Sequence, residues 1–254
     1  ALIHSYNQAT VRVGLNIGVA NLIRKIKQLG VNAEIPAVPA TLLGAVELTP
    51  IEVTQMYQSL AAGGYSVPLR SVTEVQTPHG ETLSRYPLRL MPLERRNAVA
   101  ILNFALTRVV EEGTASGLRV LLGNDTSIAG KTGTTNERRD SWFVGFSRDR
   151  LAVSWVGLDD NRPAGVTGSN AAMRIWAGLF RQLPIEPVDL RMPDGANFVW
   201  VDEQEQALTD PSCPGAVQIP FIEGTEPKDR TKCLKKLRRE SNKSLWRKWF
   251  EGKN

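Results

Sequence analysis

Apolar residues at helical spacing mark the clearest early element. Leu22, Ile23, Ile26 and Leu29 share one face of residues 21–29, Arg24, Lys25 and Lys27 lie opposite, and Gly30 follows where a helix end favours a left-handed residue. The preceding run, residues 8–17, mixes Val11, Val13, Leu15 and Ile17 with small residues. It reads as a buried helix, although the alternation of Val11, Val13 and Leu15 also fits a strand. Thr49-Pro50-Ile51-Glu52 is the strongest local signal: an N-cap, a proline at the first helical position and a glutamate placed to close a capping box. That helix should run to Ala62 and stop at Gly63-Gly64, with Val53, Met56, Tyr57 and Leu60 in the core.

Alternation takes over at residues 70–76 and 81–86, joined by Thr77-Pro78-His79-Gly80, which predicts a hairpin. A long helix is expected over 92–112 and a short one over 115–122. Three adjacent antiparallel strands follow, at 127–134, 140–146 and 151–157, with Ser147-Arg148-Asp149-Arg150 as a turn. A polar loop spans 159–168, and Ser169 is placed to cap a helix through Leu183. Beyond residue 184 prolines punctuate the chain, leaving a small hairpin (198–201 with 206–208) around Asp202-Glu203-Gln204-Glu205. The divisions are therefore 1–183, a Pro-rich extension at 184–227 and a basic amphipathic tail at 228–254.

Charge sharpens that division. Residues 228–254 carry 11 Lys and Arg against 3 Asp and Glu, whereas the rest carries 20 against 23. The net +5 is thus a property of the tail, and a nucleic-acid partner, which wants a basic face on a folded domain, is not expected. In the tail, Leu234, Leu237, Leu245, Trp246, Trp249 and Phe250 recur at near-helical intervals, as in a membrane-surface or partner-binding element; a tail packed on its own domain, or a disordered one, fits as well. At 254 residues, 42% hydrophobic and 22% charged, the chain has an ordinary globular composition with no apolar run long enough to span a membrane. Cys213 and Cys233 form no C-x-x-C and lie far in sequence from His4 and His79, so no zinc site and no cofactor are expected. His79 at a hairpin tip and Asp159-Asp160 in a loop read as solvated groups.

The chemistry concentrates in Lys131-Thr132-Gly133-Thr134. A lysine is costly to bury unless it meets an anion or carboxylate, the glycine admits close approach, and the threonines and strand edge offer donors. Such an edge suits an anionic acyl substrate. Ser5-Tyr6-Asn7 opens the first helix, and Ser-x-Asn with a later Lys-Thr-Gly belongs to the penicillin-recognising serine enzymes. The run Pro39-Ala40-Thr41-Leu42-Leu43-Gly44-Ala45-Val46-Glu47-Leu48-Thr49-Pro50-Ile51-Glu52-Val53 and the segment Gly130-Lys131-Thr132-Gly133-Thr134-Thr135-Asn136 resemble the transpeptidase domain of class A penicillin-binding proteins, over residues 1–183.

The resemblance implies an α+β fold, an antiparallel sheet with helices packed on it, and the order of strands and helices agrees. It implies DD-transpeptidation of peptidoglycan stem peptides through an acyl-serine, with β-lactams as ligands, on the periplasmic side of the inner membrane. It implies Ser5 as a proton relay, Asn7 as an anchor for substrate and base lysine, and Lys131 as the cation. Thr132 and Thr134 become hydroxyl donors, Thr134 N–H half of an oxyanion hole, and Gly133 a position that must stay small. Asp140 and Trp142 resemble positions near the cleft. The family's third motif, Ser-x-x-Lys, occurs nowhere in the sequence. The expectation is therefore a C-terminal part of a longer protein, with the nucleophile, a glycosyltransferase domain and the membrane anchor upstream, and a fold incomplete at its N-terminus. A carboxypeptidase or β-lactamase on the same fold, and a non-catalytic binding module, are the competing readings. The implied periplasmic setting favours a disulfide between Cys213 and Cys233; a reducing one would leave two thiols.

Overall fold

The computed structural model describes residues 1–124 and 126–237. The chain divides into two compact units, Ala1–Arg191 and Met192–Asn254.

The first unit is built on a three-stranded antiparallel sheet of β5 (Ala129–Thr134), β6 (Ser141–Phe146) and β7 (Leu151–Val156), in the order β5-β6-β7. Its helices are α1 (Asn7–Ile17), α2 (Val19–Gln28), α3 (Pro50–Ala61), α4 (Arg96–Glu111), α5 (Gly117–Leu122) and α6 (Ala172–Phe180). Short pairs β1 (Tyr65–Ser66) with β4 (Met91–Pro92), and β2 (Glu74–Gln76) with β3 (Thr82–Arg85), lie between α3 and α4. The α+β expectation is met.

Strand β6 is buried along nearly its whole length, and alternation sends Phe143 and Phe146 to opposite faces. Phe143 packs with Trp176 and Phe180 of α6, Met173, Leu118 and the end of α4. Phe146 packs with Leu60 of α3 and with Val99 and Leu106 of α4. Trp176 is fully buried, meets Phe143 edge-on at 5.4 Å and satisfies its indole N–H on Ala152 O at 3.1 Å. Helices on both faces explain why β6 reads as an apolar run rather than an alternating strand.

Several elements formed as the residues dictate. Thr49 caps α3, accepting from Glu52 N at 3.3 Å, while Glu52 accepts from Thr49 N at 2.9 Å. Other expectations need correction. The helix at 8–17 forms, but none of its residues is buried: Val13, Leu15 and Ile17 are 54%, 57% and 52% exposed. Apolar content alone does not specify a covering surface, and α1 touches α2 and a 3-10 turn at Pro39–Leu43 that was not anticipated. The helix at 92–112 starts late, at Arg96, because Met91–Pro92 pair with Tyr65–Ser66 as strands. Ser169 does not cap α6. That end begins at Ala172, whose N–H is satisfied across the fold by Ser141 Oγ at 3.1 Å.

In the second unit β8 (Ala196–Asp202) is longer than the expected hairpin arm and pairs with both β9 (Ala207–Leu208) and β10 (Ala216–Ile222). Strand β10 was missed because Pro220 reads as a breaker; it is tolerated on an edge strand, where the absent N–H has no ladder partner to lose. Cys213 and Cys233 form a disulfide (Cα–Cα 6.1 Å) that ties the β9–β10 turn to the helical residues 232–237. Tail positions Leu245, Trp246, Trp249 and Phe250 lie outside the described residues.

Two outcomes follow from this packing. Phe143→Ala removes a fully buried ring between β6 and α6 and should cost about 3–5 kcal/mol in denaturant unfolding. Cys213→Ser opens a link spanning 20 residues and should cost the second unit about 3 kcal/mol, read as faster hydrogen exchange over β8–β10 with the first unit unchanged.

Candidate active site

Among the described residues strand β5 pairs only with β6, so its other edge keeps backbone donors available. Lys131 leaves this strand half-buried. Its ammonium donates to Ser5 Oγ, 126 positions away in sequence, and to Thr132 O at 3.0 Å. Burial pushes the Lys131 pKa below the ordinary lysine value. Both partners are neutral oxygens, so this contact supplies no counter-charge for the desolvated ammonium.

Ser5 sits on a turn built by Ala1–Tyr6, with Tyr6 N donating to Ala1 O at 3.0 Å and Ser5 N to Leu2 O at 3.3 Å. Leu2 packs against both apolar clusters, which fixes the turn to the core. Ser5 is left-handed (φ 53°), a strained conformation for a residue with a Cβ, as found where a side chain must be aimed. Asn7 is exposed at the first turn of α1, two residues on.

Thr132 and Thr134 alternate along β5 and share a face. Thr132 Oγ1 lies 2.7 Å from Thr114 Oγ1. Thr134 Oγ1 accepts from Gly168 N at 3.0 Å, which occupies a lone pair and leaves the hydroxyl proton free to be donated. Gly168 lies against β5 and β6: a Cβ there would stand 2.6 Å from Trp142 O and 2.7 Å from Gly133 O. Gly133 is closely bounded too, since a Cβ would fall 3.1 Å from Trp142 Cβ.

Ser141 was not singled out from the sequence, yet it is fully buried and central. Its hydroxyl donates to Thr167 O at 2.7 Å and accepts from Ala172 N, joining β6, the 159–168 loop and α6. The same loop grips the β5–β6 turn, where Ala164 N and Gly165 N donate to Arg138 O at 3.0 and 3.2 Å. Nothing local marks Ser141 or Gly168; the partners that tie them to the site lie 26 and 34 positions away, Thr167 and Thr134. Asp140 serves the turn, accepting from Thr135 Oγ1 and Trp155 Nε1, both at 3.0 Å. Trp142 packs 6.1 Å from Trp155 across β6–β7. Asp160 pairs with Arg162 at the surface, and His79 is exposed at its hairpin tip, as expected of solvated groups. Among the described residues no cluster of three His, Cys, Asp or Glu could hold a metal ion, and no helix is long and apolar enough to cross a membrane.

The class follows from comparison with known proteins. The family model described as the penicillin-binding protein transpeptidase domain matches residues 1–177, and the chain belongs to that family. It is similar to penicillin-binding protein 1B of Vibrio cholerae, at 35% identity over 87% of this chain and 28% of that protein. It is likewise similar to penicillin-binding protein 1B of Escherichia coli K12, at 32% identity over 89% of this chain and 26% of the relative. The chain thus spans little more than a quarter of these relatives' length. The crystal structure of penicillin-binding protein 1A from Haemophilus influenzae shares the fold (TM-score 0.79, 22% identity, covering 90% of this chain and 40% of that one).

The pKa shift of Lys131 has a definite sign in stability. Its folded value is below the unfolded one, so burying the charge costs stability at every pH below the folded pKa. That cost is relieved as pH rises from the folded pKa towards the ordinary lysine value. Lys131→Met should therefore gain stability relative to the parent most at pH 7 and least at pH 10.5, in urea midpoints taken across that range.

Proposed function

We propose that the chain supplies the substrate-binding and proton-relay side of a serine-type DD-transpeptidase that cross-links peptidoglycan stem peptides. The observation that carries this reading is the approach of the Lys131 ammonium to Ser5 Oγ at the open strand edge, in a chain of this family. The parent would be a longer, bifunctional cell-wall synthase on the periplasmic side of the inner membrane, with its glycosyltransferase domain and anchor outside these residues. Residues 1–183 would carry the transpeptidase chemistry, 184–227 an extension, and 228–254 a tail that contacts a membrane surface or a protein.

In the proposed reaction a serine hydroxyl from a Ser-x-x-Lys segment, absent from these 254 residues, attacks the carbonyl of the penultimate D-Ala. The C–N bond breaks and the terminal D-Ala departs as an amine, taking a proton passed through Ser5. An amine of a neighbouring stem then attacks the ester and frees the serine. Lys131, whose pKa is lowered by burial, supplies positive charge next to Ser5 and eases that relay. Asn7 would hold the substrate backbone and orient the base lysine. Thr132 and Thr134 would donate to the substrate carboxylate; for Thr134 the proton is free, because Gly168 N already occupies a lone pair. Thr134 N–H would be half of the oxyanion hole, and Gly133 keeps the edge low enough for a peptide to lie along it. A β-lactam would react at the same place and remain as the acyl-enzyme. The PonA1 protein of Mycobacterium tuberculosis, solved in complex with penicillin V, supports that ligand class for this fold (TM-score 0.54, 20% identity, 66% of this chain and 50% of that one).

Lys131→Ala in the intact parent should lower labelling by fluorescent penicillin by about 100-fold or more. Near-normal labelling would overturn its role. The 254-residue chain alone should show no adduct by intact mass; a stoichiometric adduct would put the nucleophile on this chain, with Ser5 the first serine to map. Mass analysis of the products separates transfer to an amine from hydrolysis.

A further inference from the structure

The two halves of the proposed site come from distant parts of the chain, and one residue outside both touches each of them. Thr114 follows the end of α4. Its backbone N–H donates to Ile3 O at 3.2 Å, inside the turn that carries Ser5. Its hydroxyl lies 2.7 Å from the Thr132 hydroxyl, on the strand that carries Lys131. The preceding Gly113 meets Ile3 O so closely that any Cβ there would collide with it, so the Gly113-Thr114 corner is seated directly against the Ser5 turn. Ala115, next in sequence, is fully buried in the apolar cluster, which anchors the corner.

We propose that Thr114 is a positioning residue for acyl transfer: it aims the Thr132 hydroxyl and holds the Ser5 turn in register with the Lys131 strand. This rests on the transpeptidase reading above. A hydroxyl has a single proton and two lone pairs. When Thr114 donates to Thr132, the Thr132 proton is released to a substrate carboxylate, so both threonines of the strand would then present a donor to the same group, Thr134 already accepting from Gly168 N. Without the Thr114 hydroxyl, Thr132 is free to rotate and pays to be ordered again when the anion binds. Thr114 need not touch the ligand to have this effect.

The test uses the intact parent protein and penicillin beside its carboxylate methyl ester. Thr114→Val keeps the shape and deletes the hydroxyl. It should lower the second-order acylation constant for penicillin by about 5- to 10-fold, as expected for one hydrogen bond. The loss should lie in binding rather than in the limiting acylation rate, and should shrink to less than twofold with the ester. Thr114→Ser should restore penicillin acylation. In the Thr132→Val background, adding Thr114→Val should cost nothing further. Equal losses on acid and ester, failure of the serine variant to rescue, or additive losses in the double variant would overturn the proposal. If Thr114→Val does not fold, Thr114→Ala with the same ligand pair decides. Parent protein that penicillin fails to acylate at all would instead refute the transpeptidase reading itself.

Discussion

An ammonium group held in a half-buried position by neutral oxygens is the constraint on which the site depends. Lys131 reaches Ser5 Oγ and a backbone carbonyl. Hydrogen bonds to a charged donor contribute about 1.5–3 kcal/mol each, which offsets part of the desolvation but supplies no counter-charge. The charge is therefore kept available for an anion. Ser5 adds a second unfavourable term, since a left-handed backbone costs a non-glycine residue about 1–2 kcal/mol. Strain of this kind persists only where the surroundings over-determine it. Here they do: Leu2 is anchored in the core, Tyr6 closes the turn on Ala1, and Thr114 holds Ile3.

The sheet makes that arrangement rigid. Phe143 and Phe146 lock β6 between helices on its two faces, and β5 inherits its position by pairing with β6 in unbroken register from Ala129 to Thr134. Ser141 then converts a strand end into a junction, because one buried hydroxyl bonds both the 159–168 loop and the first turn of α6. The loop returns through Gly168, which lies against both β5 and β6 and donates to Thr134 Oγ1, so the strand presenting the donors is clasped to its neighbour.

What the sequence shows by itself is what neighbouring residues determine. The capping box at Thr49 and Glu52, the three strands and the Lys131 segment are all short-range patterns, and each is formed. The juxtaposition of Ser5 with Lys131 has no local signature and was reachable only through the pairing of two motifs known together. Thr114, Ser141 and Gly168 carried no signal at all: each is an unremarkable residue whose meaning comes from a partner at least 18 positions away. The errors have physical causes. Pro220 marks an edge rather than a break, Met91–Pro92 find a strand partner before the helix can begin, and Val13, Leu15 and Ile17 of α1 are left exposed among the described residues.

Charge placement reinforces the constraint. The body of the chain is mildly acidic, with 23 Asp and Glu against 20 Lys and Arg before residue 228, yet its centre of chemistry is cationic. The carboxylates around the sheet are engaged elsewhere. Asp140 accepts from Thr135 and Trp155 and so secures the β5–β6 turn, Glu137 pairs with Arg139, and Asp149 pairs with Arg150. Each of these acids is bonded within or beside its own turn, and none is among the partners of the Lys131 ammonium. The acidic exterior is thereby compatible with an anion-binding edge, because over the few ångströms that separate a ligand from its partner the local donors outweigh distant, solvent-screened charges.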